Sequence, residues 1–347
     1  MLLPDFTDGN PYQRELATAL ERRGVSVSIA SGYPLATAKR ILIERPSVVH
    51  LHWAAPFMIS DSVVSSVVKF ATLLFAITAA KAFGVEIVWT VHNLREHERR
   101  HPRLELLFRR VLVVACDGVI VHCSAAKRAV TEAYGMSSTA SEKVTVVPHG
   151  NYIDWYENQV DRERARERLG LDREDVVFVH VGQIRPYKQV RYLIEEFDRL
   201  DDERAQLVVA GTPISNAVEA DIAELSEQEA NVTTRFQFVP EDEMQVYLNA
   251  ADAIVLPYRD ILTSGTVLLG MSFGRAIVAP RVGCLPELLD DQAELLYDPD
   301  DGSLHSALEA ALNADLVALG RANYRNAERL DWDSIAERTH AVYSGQG

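Results

Sequence analysis

Two short segments of this chain carry residue types that are suited to binding a diphosphate. The segment Ser264-Gly265-Thr266 separates an apolar run from a helical pattern, so it predicts a helix N-terminus with open backbone N–H groups. Arg185 and Lys188 follow an earlier apolar run, at the point where that predicted strand ends. Parallel α/β sheets bind ligands at the carboxyl ends of their strands, and two cations beside a helix N-terminus favour a diphosphate. The alternative is an ordinary turn with a capping serine and solvated charges.

Further candidates lie in the first half of the chain. Asp8, Gly9 and Asn10 precede a predicted helix, with Asn10 as its N-cap and a proline at the first helical position. A Gly-containing first turn at the carboxyl edge of a sheet is typical of a binding site. His92 directly follows another predicted strand, where a histidine can hydrogen-bond a sugar or serve as a base. The alternative is a histidine that is satisfied by nearby backbone groups.

These residues must be positioned by the elements around them, and apolar runs of strand length alternate with helical patterns along the whole chain. This alternation predicts an α/β fold of two doubly wound domains with parallel sheets, residues 1–150 and 151–330. The predicted strands cover residues 25–30, 48–51, 86–91, 118–122 and 144–147 in the first domain, and 176–182, 206–211, 235–239, 253–257, 276–280 and 294–297 in the second. A highly charged helix is predicted over 161–168, just past the boundary.

Charge is unevenly distributed between the two predicted domains. The chain of 347 residues has a net charge of −15, yet residues 1–150 hold 17 Lys and Arg against 13 Asp and Glu. The acidic second domain argues against a nucleic-acid partner. Three cysteines without metal-type spacing, and an N-terminus with acidic Asp5 and Asp8 in place of a signal peptide, predict a cytoplasmic protein.

Two neighbouring segments raise the question of a membrane. Residues 62–80 are apolar apart from hydroxyl residues and a central Lys69, which predicts a core helix with one face open to lipid more than a membrane span. Arg95–Arg110 combines six arginines and three glutamates with apolar Leu104, Leu106, Leu107 and Phe108. This pattern predicts peripheral binding to an anionic surface on the inner face of the cell membrane. The alternative is a solvated helix with internal ion pairs.

The order of these segments resembles the group 1, or family 4, glycosyltransferases, whose GT-B fold consists of two Rossmann-like domains facing a central cleft. The matching motifs in the second domain are 182–188 (GQIRPYK), 251–258 (ADAIVLPY), the helix after Ser264, and 283–287 (GCLPE). In the first domain they are 90–93 (TVHN) and 147–150 (VPHG), and 330–336 (LDWDSIA) resembles the closing helix. The resemblance implies that this helix, 331–347, packs back on the first domain.

The resemblance also implies roles for individual residues. A nucleotide-diphosphate sugar would bind the second domain, and the acceptor the first. The donor residues would be Arg185, Lys188, Tyr258, Ser264, Gly265, Thr266 and Glu287. The acceptor residues would be Gly9, Asn10 and Asn93, with His92 and Asp8 as catalytic candidates and with His52 and Trp53 bordering the acceptor site. No cofactor and no metal ion is expected, because cations and helix dipoles neutralise the leaving group in this fold.

One departure from the family affects the stereochemistry. The family usually carries paired glutamates around the helix after Ser264, and their places hold Ile261 and Leu269, with Asp260 as a possible substitute for the first. Retention of anomeric configuration is the family default. The predicted membrane attachment favours a lipid-linked acceptor, and a glycan is the other acceptor expected. Inversion with Asp8, His92 or Glu96 as base stays open. A nucleotide-sugar epimerase of the same fold and a non-catalytic GT-B subunit are the remaining alternatives.

Overall fold

The chain folds into two compact α/β units. A computed structural model describes residues 1–31, 34–96 and 98–345. Unit 1 comprises Met1–Gly150 together with the segment that begins at Leu330, and unit 2 comprises Asn151–Arg329. Each unit has its own parallel sheet with helices packed against it.

Unit 1 is built on a five-stranded parallel sheet in the order β1-β2-β3-β4-β5. The strands are β1 (Leu2–Leu3), β2 (Val48–Leu51), β3 (Glu86–Thr90), β4 (Gly118–Val121) and β5 (Val144–Val146). The helices are α1 (Tyr12–Arg22), α2 (Pro34–Glu44), α3 (Val63–Ala82), α4 (Pro102–Ala115), α5 (Ser124–Tyr134) and α6 (Ser138–Ser141). The central strands are buried apart from Glu86 at the start of β3, as expected for a parallel sheet covered by helices on both faces.

Unit 2 has a six-stranded sheet in the order β11-β10-β9-β6-β7-β8. Its strands are β6 (Val176–Val181), β7 (Ala205–Ala210), β8 (Val232–Arg235), β9 (Ala253–Val255), β10 (Ala276–Pro280) and β11 (Leu296–Tyr297). Its helices are α7 (Arg162–Leu169), α8 (Val190–Phe197), α9 (Asn216–Ser226), α10 (Met244–Ala250), α11 (Gly265–Ser272), α12 (Leu285–Leu288), α13 (Leu304–Asn313) and α14 (Leu316–Glu328). The strand order reverses between β6 and β9, which makes the carboxyl ends of these two strands the switch point of the sheet.

The closing helix α15 (Trp332–Tyr343) belongs to unit 1 and packs against α1. Asp331 caps it by accepting a hydrogen bond from the Ser334 N–H at 2.8 Å. The Trp332 ring lies so close to Gly150 that a Cβ there would come within 2.3 Å of it. Residues 346 and 347 of the predicted segment lie outside the described residues.

Two predicted strands differ from the structure. Residues 25–30 form only an isolated bridge from Ile29 to Leu2, because β1 is two residues long and offers no longer edge to pair with. The strand predicted over 235–239 instead ends at Arg235. Its neighbour β7 ends at Ala210, so the following residues have no strand to pair with and Phe238 is exposed.

Helix α3 has the length and composition of a membrane span, and it is the only such helix in the described part of the chain. Within unit 1 it packs against α2, α4 and β3 through a buried face that includes Phe70, Leu73 and Ile77. Val64, Val68 and Phe75, at helical spacing on another face, are 73%, 60% and 66% exposed. The helix therefore combines a core face with an exposed apolar face.

Candidate active site

The first candidate site lies in unit 2, at the switch point of the sheet. The turn after β6 carries Arg185 and Lys188, and the loop after β9 leads through Tyr258 to the start of α11. Gly211, after β7, has a φ of +152° and lies so close to Gly182 that an added Cβ would sit 1.8 Å from the Gly182 carbonyl oxygen. Glycine is therefore required where these strand ends meet.

Lys188 is the central cation of this site. It is 9% exposed, and its Nζ lies 5.3 Å from the centre of the Tyr258 ring. Burial lowers the pKa of Lys188, and the other groups that influence it are Tyr187 and Arg185. No carboxylate is among these groups, so in the described structure the buried ammonium lacks an acidic partner. A buried cation of this kind is suited to an anionic ligand.

The remaining cation and the helix start are arranged beside Lys188. Arg185 is half-buried and donates from Nε to Gln183 Oε1 at 3.1 Å. Ser264 caps α11, since its hydroxyl accepts from the Val267 N–H at 3.3 Å. Burial raises the pKa of Tyr258 to about 12, while hydrogen bonds to Thr266 and Ser264 act in the opposite direction. Tyr258 thus contacts both the lysine and the helix start.

Two donor-side candidates have a different environment. Gly265 faces Tyr152, whose hydroxyl would lie 3.4 Å from an added Cβ, so a larger residue would crowd this helix start. Glu287 is exposed on the four-residue helix α12.

Apolar residues, Ile261 and Leu269, stand at the two positions where the family usually has glutamates. Leu269 is buried within α11. Ile261 precedes a loop whose backbone meets Gly283, where an added Cβ would lie 2.4 Å from the Ile261 carbonyl oxygen. Gly283 has a φ of +55°, so both space and conformation favour glycine. Neither replaced position supplies a carboxylate.

Sequence reasoning missed His180, a buried residue of β6. Its Nδ1 donates to the Val255 carbonyl oxygen at 3.0 Å, and its Nε2 has no hydrogen-bond partner in the described structure. Burial, and secondarily Lys188, lowers the pKa of His180 to about 3. Its position one residue before the end of an apolar strand was the available signal.

The second candidate site lies in unit 1, where histidines follow the carboxyl ends of successive strands. His92 Nε2 lies 3.2 Å from His52 Nδ1, and His92 Nδ1 lies 3.3 Å from His122 Nε2. Trp53 stacks on His92 with 4.4 Å between ring centres. Both ring nitrogens of His92 therefore contact other histidines, and neither contacts the local backbone.

Two further histidines complete this group. His50 Nε2 lies 2.7 Å from Thr90 Oγ1, and its Nδ1 lies 2.7 Å from the Tyr343 hydroxyl on α15. His149 Nδ1 donates to the Gly150 carbonyl oxygen at 2.8 Å. Sequence reasoning singled out His92 and missed His122, which directly follows β4, and His50, which lies within β2.

Burial keeps this histidine group neutral. Desolvation lowers the pKa of His50, His52 and His92 well below the usual value; repulsion from the other rings comes second for His52 and His92, and repulsion from the N-terminal ammonium comes second for His50. Burial likewise lowers the pKa of His122 to about 4 and that of His149 to about 3. At neutral pH each ring consequently has one donor and one acceptor nitrogen.

The turn that was predicted to bind the acceptor follows β1. Asp8 is fully exposed and lies 3.7 Å from Arg14 Nη2. Gly9 has a φ of +77°. Asn10 was predicted to be the N-cap of α1, but Pro11 occupies that position. Asn10 still contacts the start of the helix, because its Oδ1 accepts a hydrogen bond from the N–H of Tyr12, the first residue of α1, at 3.1 Å. Asn93 lies beside the histidines.

The basic segment Arg95–Arg110 differs from the prediction in three ways. Arg109 is 4% exposed, because it donates to Glu105 at 2.7 Å and to the Asn93 carbonyl oxygen at 2.9 Å. Phe108 is buried and stacks on Phe70. Arg100 is paired with carboxylates, namely Asp61, Glu96 and Glu98. The exposed arginines are Arg95, Arg99, Arg100, Arg103 and Arg110, and His97 lies outside the described residues.

No group of three or more His, Cys, Asp or Glu side chains in the described parts of the chain is arranged to hold a metal ion.

Two solved structures have a similar fold over nearly the whole chain. The Anabaena protein Alr3699/HepE in complex with UDP and glucose superposes with a TM-score of 0.71 at 16% identity, covering 99% of this chain and 98% of that one. A glycosyltransferase from Rickettsia africae ESF-5 gives a TM-score of 0.71 at 14% identity, covering 99% and 97%. At these identities the likeness shows the fold, which is GT-B.

Sequence comparisons give the family. Residues 175–314 match the family described as glycosyl transferases group 1, and residues 62–154 match glycosyltransferase family 4. A GDP-mannose:glycolipid 4-beta-D-mannosyltransferase of Xanthomonas campestris pv. campestris is 24% identical over 88% of this chain and 81% of its own length. A D-inositol 3-phosphate glycosyltransferase of Geodermatophilus obscurus is 25% identical over 77% of this chain and 62% of its own. The chain belongs to the group 1 and family 4 glycosyltransferases and is a glycosyltransferase.

Proposed function

We propose that this enzyme transfers a sugar from a nucleotide-diphosphate sugar to a lipid-linked or glycan acceptor. The observation that carries the proposal is Lys188, a buried cation without an acidic partner at the switch point of the unit 2 sheet. The diphosphate would supply the missing negative charge, and Arg185 and the N-terminus of α11 would add further contacts. Unit 1 would bind the acceptor.

Two relatives support the choice of substrates. The Xanthomonas enzyme is named for a GDP-mannose donor and a glycolipid acceptor, and the Anabaena protein was solved with UDP and glucose. Both names describe a nucleotide or nucleotide sugar as ligand, in agreement with the cation site in unit 2. The glycolipid acceptor of the first supports a lipid-linked acceptor here.

Leaving-group departure would be assisted by the protein's own cations. As the bond to the sugar breaks, negative charge grows on the diphosphate, and Lys188 and Arg185 would neutralise it. We therefore propose transfer without a metal ion or cofactor. In the low-dielectric environment of a buried ammonium, this electrostatic contribution is larger than it would be in water.

Retention is the outcome that the family default implies, and inversion is the second candidate. A specific observation favours inversion: Ile261 and Leu269 occupy the places of the usual glutamates. The name of the Xanthomonas relative also specifies a β-linked product. An inverting reaction needs a base for the acceptor hydroxyl, and unit 1 contains several neutral histidines.

Peripheral attachment to the inner face of the cell membrane fits a lipid-linked acceptor. The exposed apolar face of α3 adjoins α4, where Leu107 and Val114 are 55% and 76% exposed. Arg103 and Arg110 are exposed on α4. Apolar side chains flanked by cations suit an interface with anionic lipid.

A panel of nucleotide sugars would test the proposal. We expect one of them to raise the melting temperature of the purified enzyme in proportion to its binding, and Lys188→Ala to remove the shift. Addition of membrane lipid acceptors should then yield a glycosylated product. A new epimeric nucleotide sugar formed without acceptor would support an epimerase instead, and failure to bind any nucleoside diphosphate would support a non-catalytic subunit.

A further inference from the structure

His52 has a buried ring nitrogen without a partner. The residue is 1% exposed, and its Nε2 makes no hydrogen bond in the described structure. A buried polar atom left unpaired costs about 1–3 kcal/mol. Such atoms are uncommon in native proteins, and a ligand that supplies the missing group is one explanation for them.

The hydrogen positions on the histidine rings near His52 can be assigned by starting from a backbone carbonyl group, which cannot donate a hydrogen bond. The Val147 carbonyl oxygen can only accept, so His122 Nδ1, 2.9 Å away, carries a hydrogen. In the neutral ring His122 Nε2 is then an acceptor. It receives a hydrogen bond from His92 Nδ1 at 3.3 Å.

The same reasoning continues to His52. Because His92 Nδ1 carries the hydrogen of that neutral ring, His92 Nε2 is an acceptor, and His52 Nδ1 donates to it at 3.2 Å. His52 Nε2 therefore has a lone pair. We call His52, His92 and His122 the histidine chain: three rings linked in one direction, with an acceptor nitrogen at the open end.

A cavity in unit 1 is lined in part by His52. It has a volume of about 100 Å³, enough for several waters or part of a sugar, and His52, Trp53, Trp89 and Asn93 are among its lining residues. Glu96 also lines it, and Glu96 Oε2 is a second buried atom without a hydrogen-bond partner. Two unpaired acceptors beside two indole rings suit a ligand with several hydroxyl groups.

We propose that His52 Nε2 is the base that receives the proton of the acceptor hydroxyl, with that hydroxyl bound in this cavity. This assignment rests on the proposed function. The hydroxyl oxygen forms the new bond to the anomeric carbon while the bond to the diphosphate breaks, and the electron pair of the broken bond leaves with the diphosphate. Displacement of this kind inverts the anomeric centre.

The histidine chain stabilises the charge that the base acquires. When Nε2 of His52 takes the proton, its Nδ1 proton can move to His92 Nε2, and the Nδ1 proton of His92 can move to His122 Nε2. Both nitrogens of His122 then carry hydrogens and donate. His92 and His122 are thus positioning residues, which hold His52 in its reactive tautomer.

Kinetics of transfer would test the base. We expect His52→Ala to lower kcat about 10²–10⁴-fold, with partial rescue by added imidazole. The Kd for the nucleotide sugar should stay within about twofold, since the cation site lies in unit 2. His305→Asn, at a half-buried histidine of α13 in unit 2 that belongs to neither candidate site, is the control. Normal turnover of folded His52→Ala, or a retained anomeric configuration in the product, would overturn the assignment.

The tautomers provide a test that does not depend on activity. Long-range ¹H–¹⁵N NMR should show His52, His92 and His122 neutral with the hydrogen on Nδ1. A hydrogen on His52 Nε2 would contradict the proposal. In His122→Ala the hydrogen of His52 should no longer be held on Nδ1, and kcat should fall while the affinity for the nucleotide sugar stays unchanged. If the wild-type enzyme binds no nucleotide sugar while its tautomers are as described, the proposed function fails and the catalytic role of His52 fails with it.

Discussion

The Nζ of Lys188 lies 5.3 Å from the centre of the Tyr258 ring, joining two loops that are 70 residues apart in the chain. Lys188 follows β6 and Tyr258 follows β9, the two strands between which the sheet order reverses. The Tyr258 hydroxyl in turn hydrogen-bonds Ser264 and Thr266. One aromatic residue therefore fixes the lysine relative to the N-terminus of α11.

Lys188→Met should abolish activity without unfolding the protein. Loss of one contact to the departing diphosphate is expected to cost about 2–4 kcal/mol, or two to three orders of magnitude in turnover. The free energy of unfolding should be unchanged or higher, because a buried unpaired charge is replaced by an apolar side chain. Turnover and chemical denaturation would be measured together. Arg164→Met, at an exposed cation of α7, is the control. Near-normal turnover of Lys188→Met would contradict the diphosphate site.

Gly211→Ala should destabilise unit 2 and weaken donor binding. The added methyl would lie 1.8 Å from the Gly182 carbonyl oxygen, and the φ of +152° is rarely adopted by other residues. We expect a loss of more than about 1 kcal/mol in the free energy of unfolding, since the backbone must move. Gly170→Ala is the control for backbone conformation alone, because Gly170 also has positive φ but no atom within 4 Å of an added Cβ. Equal losses in the two variants would argue against a steric requirement at Gly211.

Much of this arrangement is predictable from the sequence, because it follows from local patterns. The apolar runs that predicted β6 and β9 also placed Lys188 and Tyr258 at strand ends, and Ser264 caps α11 as its residue type suggests. The histidine chain depends instead on register between neighbouring strands. A parallel register that pairs Thr90 with Ile120 brings His92 beside His122, and no single strand contains that information.

The burial of individual arginines in the basic segment Arg95–Arg110 was also not predictable from local sequence patterns. Charge counting treats all arginines alike, but α4 turns one face toward the core. Glu105 and Arg109 lie one helical turn apart on that face and pair with each other while buried. Their spacing was visible in the sequence, but which face of α4 is buried is decided by the packing of Phe108 against Phe70.

Stability should fall below about pH 6.5. Between the folded-state and unfolded-state pKa of a histidine whose pKa is lowered by burial, the unfolded protein binds a proton that the folded protein does not. The histidine's contribution to the free energy of unfolding is therefore complete above about pH 6.5 and is lost as the pH falls toward the folded-state pKa. For His122 the window runs from 6.5 down to about 4, and for His149 to about 3. Each contributes a slope of about 1.4 kcal/mol per pH unit within its window.

Urea denaturation between pH 7.5 and 5 would measure this slope. His149→Asn should flatten the dependence by the share of one buried histidine, and His340→Asn, at an exposed histidine of α15, should leave it unchanged. A free energy of unfolding that is constant over this range would contradict burial of neutral histidines in unit 1.

Binding to anionic vesicles should depend on both the apolar face of α3 and the arginines of α4. Val68 and Phe75 are 60% and 66% exposed, and each large apolar side chain buried in lipid is expected to contribute about 1.5–3 kcal/mol. Each arginine near an anionic surface adds about 1 kcal/mol, and salt screens this part. Wild-type protein should therefore sediment with vesicles containing an anionic phospholipid and be partly released at high salt.

Two variants separate these contributions. Phe75→Ser should weaken binding equally at low and high salt, whereas Arg103→Glu with Arg110→Glu should remove the salt-dependent part. Nucleotide-sugar affinity should be unchanged in both, because the cation site lies in unit 2. Arg164→Glu with Arg168→Glu, at two exposed arginines on α7 of the acidic unit, serves as the charge-matched control. Equal binding of the wild type to neutral and anionic vesicles at low salt would refute the electrostatic contribution, and unchanged binding of Phe75→Ser would refute contact of α3 with lipid.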